Sequence, residues 1–186
     1  MVVDYENPQE IAFYNLNGKS YANSLQISAN YELTHDIDIR LAYKLYDVQT
    51  QYESGLKANP LQAKNRFFVN LAYETHETEK GGKWLFDYTF NWIGEQRIPY
   101  TGTNPIAYQL PTNSITYNLM NAQVTKRFSK QFSMYFGGEN LTNYTQENPI
   151  LGSDDPFGSY FDSSLIYAPI HGRMFYAGIR YTILKK

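Results

Sequence analysis

The sequence predicts an all-β protein, an antiparallel up-and-down sheet of seven or eight strands that forms a segment of a transmembrane β-barrel. Three observations predict it. Apolar residues recur with a period of two, which puts one apolar and one polar face on each strand. The runs extend about ten residues, the length a tilted membrane strand needs, against ~5–6 in ordinary soluble strands. The connections alternate between short and long, so all short ones fall at one end of the strands and all long ones at the other.

The elements follow in order. A short candidate, Ile11 to Leu16, comes first. Leu25, Ile27, Ala29, Tyr31 and Leu33 then alternate with Ser24, Gln26, Ser28, Asn30 and Glu32. After the tight gap at 34–36, Ile37, Ile39, Leu41, Tyr43 and Leu45 alternate with Asp38, Arg40, Ala42 and Lys44. A long gap from Val48 to Ala63 carries Gly55 and Pro60. Phe67, Val69, Leu71 and Tyr73 form the next apolar row, followed by a modest gap at 75–82. Trp84, Phe86, Tyr88, Phe90 and Trp92 form another, before a long gap at about 93–114 with Pro99, Pro105 and Pro111. From Ile115 to Phe128 the phase shifts near Leu119-Met120. Either a bulge or a strand leaving its apolar environment there produces such a shift. A tight turn at Ser129-Lys130 leads to Phe132, Met134 and Phe136. The longest gap, Leu141 to His171, precedes Phe175, Ala177, Ile179, Tyr181 and Ile183. Glycine, proline and asparagine cluster between the runs, as turns require.

Composition narrows the function. The chain has 186 residues, no cysteine, a formal net charge of −2 and 17% aromatic residues, including 18 tyrosines. Absence of cysteine removes disulfides, thiolate metal sites and thiol catalysis. A near-neutral chain with 18% charged residues lacks the clustered Lys and Arg that bind nucleic acid. The start, Met1 to Glu6, is no signal peptide, which points to a mature chain or a piece of one. No apolar run reaches the ~18 residues of a membrane helix. The mean hydropathy of −0.51 suits a soluble protein and equally a barrel, whose strands alternate.

On the barrel reading, the apolar face meets lipid. Trp84 and Trp92 share that face eight residues apart. That is ~26 Å along a strand, or ~20 Å vertically after tilt, close to the apolar band's ~25 Å. They are expected at the two rims, with Tyr31, Tyr43, Tyr73, Phe128, Phe132 and Tyr181 in the same aromatic girdles. The polar row of Glu32, Asp38, Arg40, Lys44, Glu74 and Asp87 then lines a hydrated lumen. Eight strands would close a small barrel with a structural or adhesive role. Seven firm strands, and an opening segment that reads as the tail of an earlier loop, suit part of a larger one. A soluble β-sandwich binding module is the third alternative.

Gly137-Gly138-Glu139-Asn140-Leu141-Thr142-Asn143, running on to Gln146-Glu147-Asn148-Pro149-Ile150, resembles the segment before the last long loop of TonB-dependent outer-membrane receptors. Gly172-Arg173-Met174-Phe175-Tyr176-Ala177-Gly178-Ile179-Arg180-Tyr181 resembles their closing strand. Trp92 to Pro99 and Met120 to Lys126 look like receptors of this family from Bacteroidetes-type bacteria. The resemblance implies that residues 1–186 are an incomplete C-terminal barrel segment, about the last third of a barrel of about 22 strands. The N-terminal plug and earlier strands would lie elsewhere. It implies residence in the bacterial outer membrane and energised import of a siderophore, another metal chelate or a similarly bulky nutrient. Partners would be membrane lipid, the plug, the TonB complex acting through it, and the ligand, with no nucleic acid and no cofactor. The family usually ends on an aromatic residue, whereas this chain ends Ile183-Leu184-Lys185-Lys186.

The residues carry no catalytic constellation, and no enzyme activity is expected. Nucleophile elbows, phosphate loops and Cys–His pairs are absent. His35 and His76 fall in short turns and His171 at the base of the longest loop, with no ligand spacing between them. Asp154, Asp155 and Asp162 hold enough oxygens for calcium but lack its loop spacing, so a solvated turn is expected. Ligand contact is better placed on the long-loop aromatics Tyr100, Tyr108, Tyr160, Phe161 and Tyr167. Tyrosine offers a large apolar face and a hydrogen bond at low entropy cost. Packing among the loops themselves is the alternative for these rings. Arg173 is a candidate to pair with a loop acid.

Overall fold

The computed structural model describes residues 2–4 and 11–183. The described residues are all-β, with ten strands, one 3-10 turn at Ile106–Tyr108 and no α-helix. β1 (Val2–Asp4) and β2 (Ala12–Tyr14) form a separate antiparallel pair. The main sheet holds β3 (Tyr21–Thr34), β4 (Ile37–Tyr52), β5 (Gly55–Ala58), β6 (Asn65–Glu74), β7 (Lys83–Ile93), β8 (Tyr117–Arg127), β9 (Phe132–Glu139) and β10 (Met174–Tyr181). Every pairing in it is antiparallel. The order is β10-β9-β8-β7-β6-β4-β3, with β5 on the far end of β4. The sheet is open, with β3 and β10 at its edges and not paired to each other.

Two elements differ from the sequence reading. The short candidate at 11–16 stands outside the main sheet as β2. The eighth strand is instead β5, inside the stretch expected to be a long loop. There β4 runs on to Tyr52 and turns through Glu53-Ser54 into Gly55, with Tyr52 and Gly55 as partners. Gly55 has φ +110°, open to glycine at no steric cost, so it lets a two-residue turn close the hairpin. The phase shift in β8 is not a bulge, since the β7–β8 register runs unbroken from Lys83↔Arg127 to Ile93↔Tyr117. Tyr117 and Leu119 simply face the other side, because the long loops cover that side and make it apolar locally. The one register shift in the main sheet falls between Glu32 and Thr34, beside the 35–36 turn.

Register carries the period of two across the whole sheet. Tyr31, Ile39, Leu71, Tyr88 and Ala122 form one cross-strand row. Tyr43, Phe67 and Trp92 form another, and Ile37, Tyr73, Phe86, Val124 and Phe136 a third. Aligned apolar neighbours of this kind each contribute roughly 0.2–1 kcal/mol. The rings pack on one another: Tyr73 on Phe86 at 5.8 Å, Trp84 on Phe86 at 6.2 Å, Phe128 on Phe132 at 5.5 Å. Yet this face stays open, with Ile27, Tyr31, Leu41, Leu71, Trp84, Phe136 and Ile179 all exposed. Lys126 is a cation on the apolar face. It sits at the strand end, its Nζ 4.6 Å from the Trp84 ring centre.

The opposite face is polar. One row reads Glu32, Asp38, Ala72, Asp87, Gln123, Gly137, Tyr176. The short turns end this face with the ion pairs Lys83–Glu74 and Arg127–Glu77 and with a His76–Asp36 contact at 3.4 Å. Gly137 stands opposite Tyr176, and a side chain there would meet that ring at 2.4 Å, so glycine leaves the ring its place. The expectation about the terminal residues 184–186 lies outside the described residues.

Candidate functional site: the long-loop cluster

The three long connections, at 53–64 (which includes β5), 94–116 and 140–173, gather at one end of the sheet and hold most of the buried residues. Ala63, Ile93 and Tyr117 form the core, packed by Leu119, Tyr144, Tyr167 and Ala168. Tyr117 and Tyr144 stack at 4.7 Å, and the Tyr117 hydroxyl donates to the Tyr167 carbonyl. Loops carry backbone groups that no ladder satisfies, so buried polar side chains must do it.

Four residues perform that task. Gln96 is 2% exposed and donates from Nε2 to the Tyr167 carbonyl; its N–H donates to Ser114 Oγ and its carbonyl accepts from the Ser114 N–H. Gln146 donates from Nε2 to the Leu165 carbonyl and accepts at Oε1 from the Tyr167 and Ala168 N–H groups. Thr101 Oγ1 accepts from the Leu110 N–H. Asn140 is the hub. Its Nδ2 donates to the Tyr144 and His171 carbonyls, and its Oδ1 accepts from the Tyr144 N–H and the Thr142 hydroxyl. Its φ of +50° is one asparagine tolerates. Periodicity cannot reveal such residues, because polar side chains in a loop look solvated until the fold buries them.

The predicted ligand aromatics divide. Tyr108 and Tyr160, from different loops, stack at 5.2 Å, and exposed Phe161 follows Tyr160. Close to them in sequence, Ile106 and Phe157 project almost fully into solvent. Tyr108 and Tyr160 are themselves half-buried, so the exposed apolar surface is carried by their sequence neighbours Ile106, Phe157 and Phe161. Tyr100 is exposed but its ring folds back over Gly102. Tyr167 is half-buried in the loops' own core, as in the packing alternative for these rings. Arg173 forms no ion pair among the described residues; its backbone N–H donates to Asn143. His35 is exposed and bonded to Glu32, and Asp162 Oδ1 is taken by Ser164. Among the described residues no three His, Asp or Glu side chains converge on a metal position.

Burial raises the Tyr144 pKa to about 12, with the neighbouring Tyr167 phenol adding to it, and burial raises that of Tyr167 as well. A phenol whose pKa rises on folding stabilises the fold in full below its ordinary value near 10. That contribution is lost as pH climbs toward about 12. The loop cluster is therefore expected to loosen between about pH 10 and 12, read as late tyrosinate absorbance coinciding with protease sensitivity in 140–173. Tyr144→Phe should remove the late step. Tyrosinate appearing wholly near pH 10 would refute it.

Compared with known protein families, curated proteins and solved structures, the chain matches none of them.

Proposed function

We propose that this chain forms the last strands and external loops of an outer-membrane barrel receptor. On this reading the receptor is TonB-dependent and imports a bulky nutrient such as a siderophore or other metal chelate. The remaining strands and the plug come from the rest of the gene product. The observation that carries the barrel part is the exposed apolar face. Seven strands align apolar side chains in unbroken cross-strand rows, and among the described residues nothing packs over them. A soluble sandwich buries such a face under a second sheet. Lipid is a solvent that stabilises it open. The unpaired edges β3 and β10 favour an incomplete barrel over a closed small one, because lipid tolerates no open edge. Loops sorted to one end, two of them joined by the stacked Tyr108–Tyr160 pair, support ligand capture there. The import and energy-coupling part rests on the sequence resemblance.

The test uses the chain's two tryptophans in the whole gene product, other tryptophans being replaced by phenylalanine. In bilayers with acyl chains brominated at graded depths, Trp84 and Trp92 are each quenched most by shallow labels, from opposite leaflets. Equal insensitivity of both to every label would overturn the barrel reading. If the barrel stands, uptake of a ligand that collapses when the inner-membrane proton gradient is discharged tests the transport part.

A further inference from the structure

The polar face carries charge of both signs, with Arg127 and Arg180 among the acids near the short turns. One row there holds Glu32, Asp38 and Asp87. Beneath the loop cluster the face is basic. Lys44 and Arg66 are direct cross-strand partners, with Gln26 on the far side of Lys44. Like charges placed directly opposite destabilise a sheet. Three other cations are matched with acids, Lys64 with Asp47, Lys83 with Glu74 and Arg127 with Glu77, whereas Arg40 and Arg180 on the same face form no ion pair among the described residues. Lys44 and Arg66 form no ion pair among the described residues. Lys44 rests 4.3 Å from the Tyr46 ring centre, which holds the ammonium without neutralising it. The two cations border a concavity of about 410 Å³, walled by Phe68 and Tyr117, with the Gln26 and Asn91 amides on its lining. That volume lies in the ~300–1,000 Å³ range of small-molecule sites.

We propose that this concavity binds a compact, multiply charged oxyanion, a polycarboxylate or a phosphate, with Lys44 and Arg66 as its counter-charges. The proposal deepens the receptor reading and rests on its hydrated lumen, because a face open to water and ligand is what makes the pair accessible. A carboxylate or phosphate presents paired oxygens that match the guanidinium fork of Arg66, while Lys44 contributes a point charge. The side amides recognise further oxygens, and the aromatic walls contact the carbon skeleton. An anion between the two cations turns their mutual repulsion into attraction. The arrangement therefore costs stability when empty and returns it on binding.

Calorimetric titration of the whole gene product, folded in detergent at low salt, tests this with three probes: pyrophosphate, tricarballylate and sucrose. Saturable binding of at least one anion is expected, weakening as sodium chloride is added, with none of sucrose. Whichever anion binds more tightly identifies the source of the oxyanion. The double variant K44Q/R66Q should weaken binding about tenfold or more. Its melting temperature should stay unchanged or rise, because the repulsion is gone. K44R should bind within a few-fold of the parent, whereas R66K should bind more weakly, because an ammonium does not reproduce the guanidinium's paired contact. The proposal is overturned if no anion binds the parent, or if the double variant binds as well as the parent. A fall in the double variant's melting temperature would overturn it too, showing that the two cations pair with the protein's own carboxylates. Loss of lipid quenching at Trp84 and Trp92 would instead remove the barrel reading itself, so the two failures are distinguishable.

Discussion

Replacing Leu71 by arginine is expected to destabilise the bilayer-inserted fold by about 2–4 kcal/mol, while arginine at the very next residue, Ala72, changes stability by less than about 1 kcal/mol. Leu71 pairs with Tyr88, halfway between Trp84 and Trp92 along β7, so it lies at mid-depth on the apolar face. A guanidinium there must leave water or deform the bilayer. Ala72 points the other way and stands between Asp38 and Asp87 on neighbouring strands. An arginine at 72 meets two carboxylates in a wet environment. The expected loss at 71 corresponds to a drop of roughly thirty- to several-hundred-fold in the folding equilibrium. A third position calibrates depth: Lys126 already holds a charge on the apolar face beside Trp84, so Lys126→Arg should be near neutral. Equilibrium unfolding in lipid vesicles reads all three. Equal tolerance of arginine at 71 and 126 would mean that the face meets water and that lipid does not cover it.

The second large effect concerns the loops. Asn140→Ala is expected to cost about 2–4 kcal/mol, confined to the loop at 140–173. The substitution leaves the Tyr144 and His171 carbonyls and the Tyr144 N–H without their partner at the base of that loop. It also asks alanine to hold a φ of +50°. Asn140→Gly accepts that φ but still loses the hydrogen bonds, so it separates the two contributions. Amide hydrogen exchange should show opening from Leu141 to Arg173 with the β6–β7 ladder protected as before. Uniform loss of protection across the sheet, or none, would refute the assignment of Asn140 as a local hub.

The strands were legible because a sheet with one apolar face writes its register into the chain every second residue. Leu25 and Leu45, or Tyr73 and Phe86, align across strands as their alternation implied. The β5 hairpin was less legible. Its four residues, Gly55–Ala58, are too short to show a period, and Gly55 stood in the sequence only as one residue of a long gap. The change of phase at Tyr117 and Leu119 was visible, but its cause was not. Those residues are apolar because a distant loop lies over them, and no local pattern encodes that contact. Tyr108 and Tyr160 were picked out singly as loop aromatics. Their stacking depends on how two loops distant in sequence fold onto one end of the sheet.

By itself, the sequence determined the β class, the meander, the two faces and the sorting of the loops. These follow from alternation and from the lengths of the gaps, which are local quantities. Only the tertiary structure decided that the sheet stays open and that Gln96, Gln146 and Asn140 are buried staples. It alone set Lys44 against Arg66 across two strands and left them without an acid among the described residues. Each of these depends on which remote backbone or charge comes to lie opposite a given side chain. Burial and electrostatic pairing are properties of that neighbourhood, and the chain acquires it only on folding.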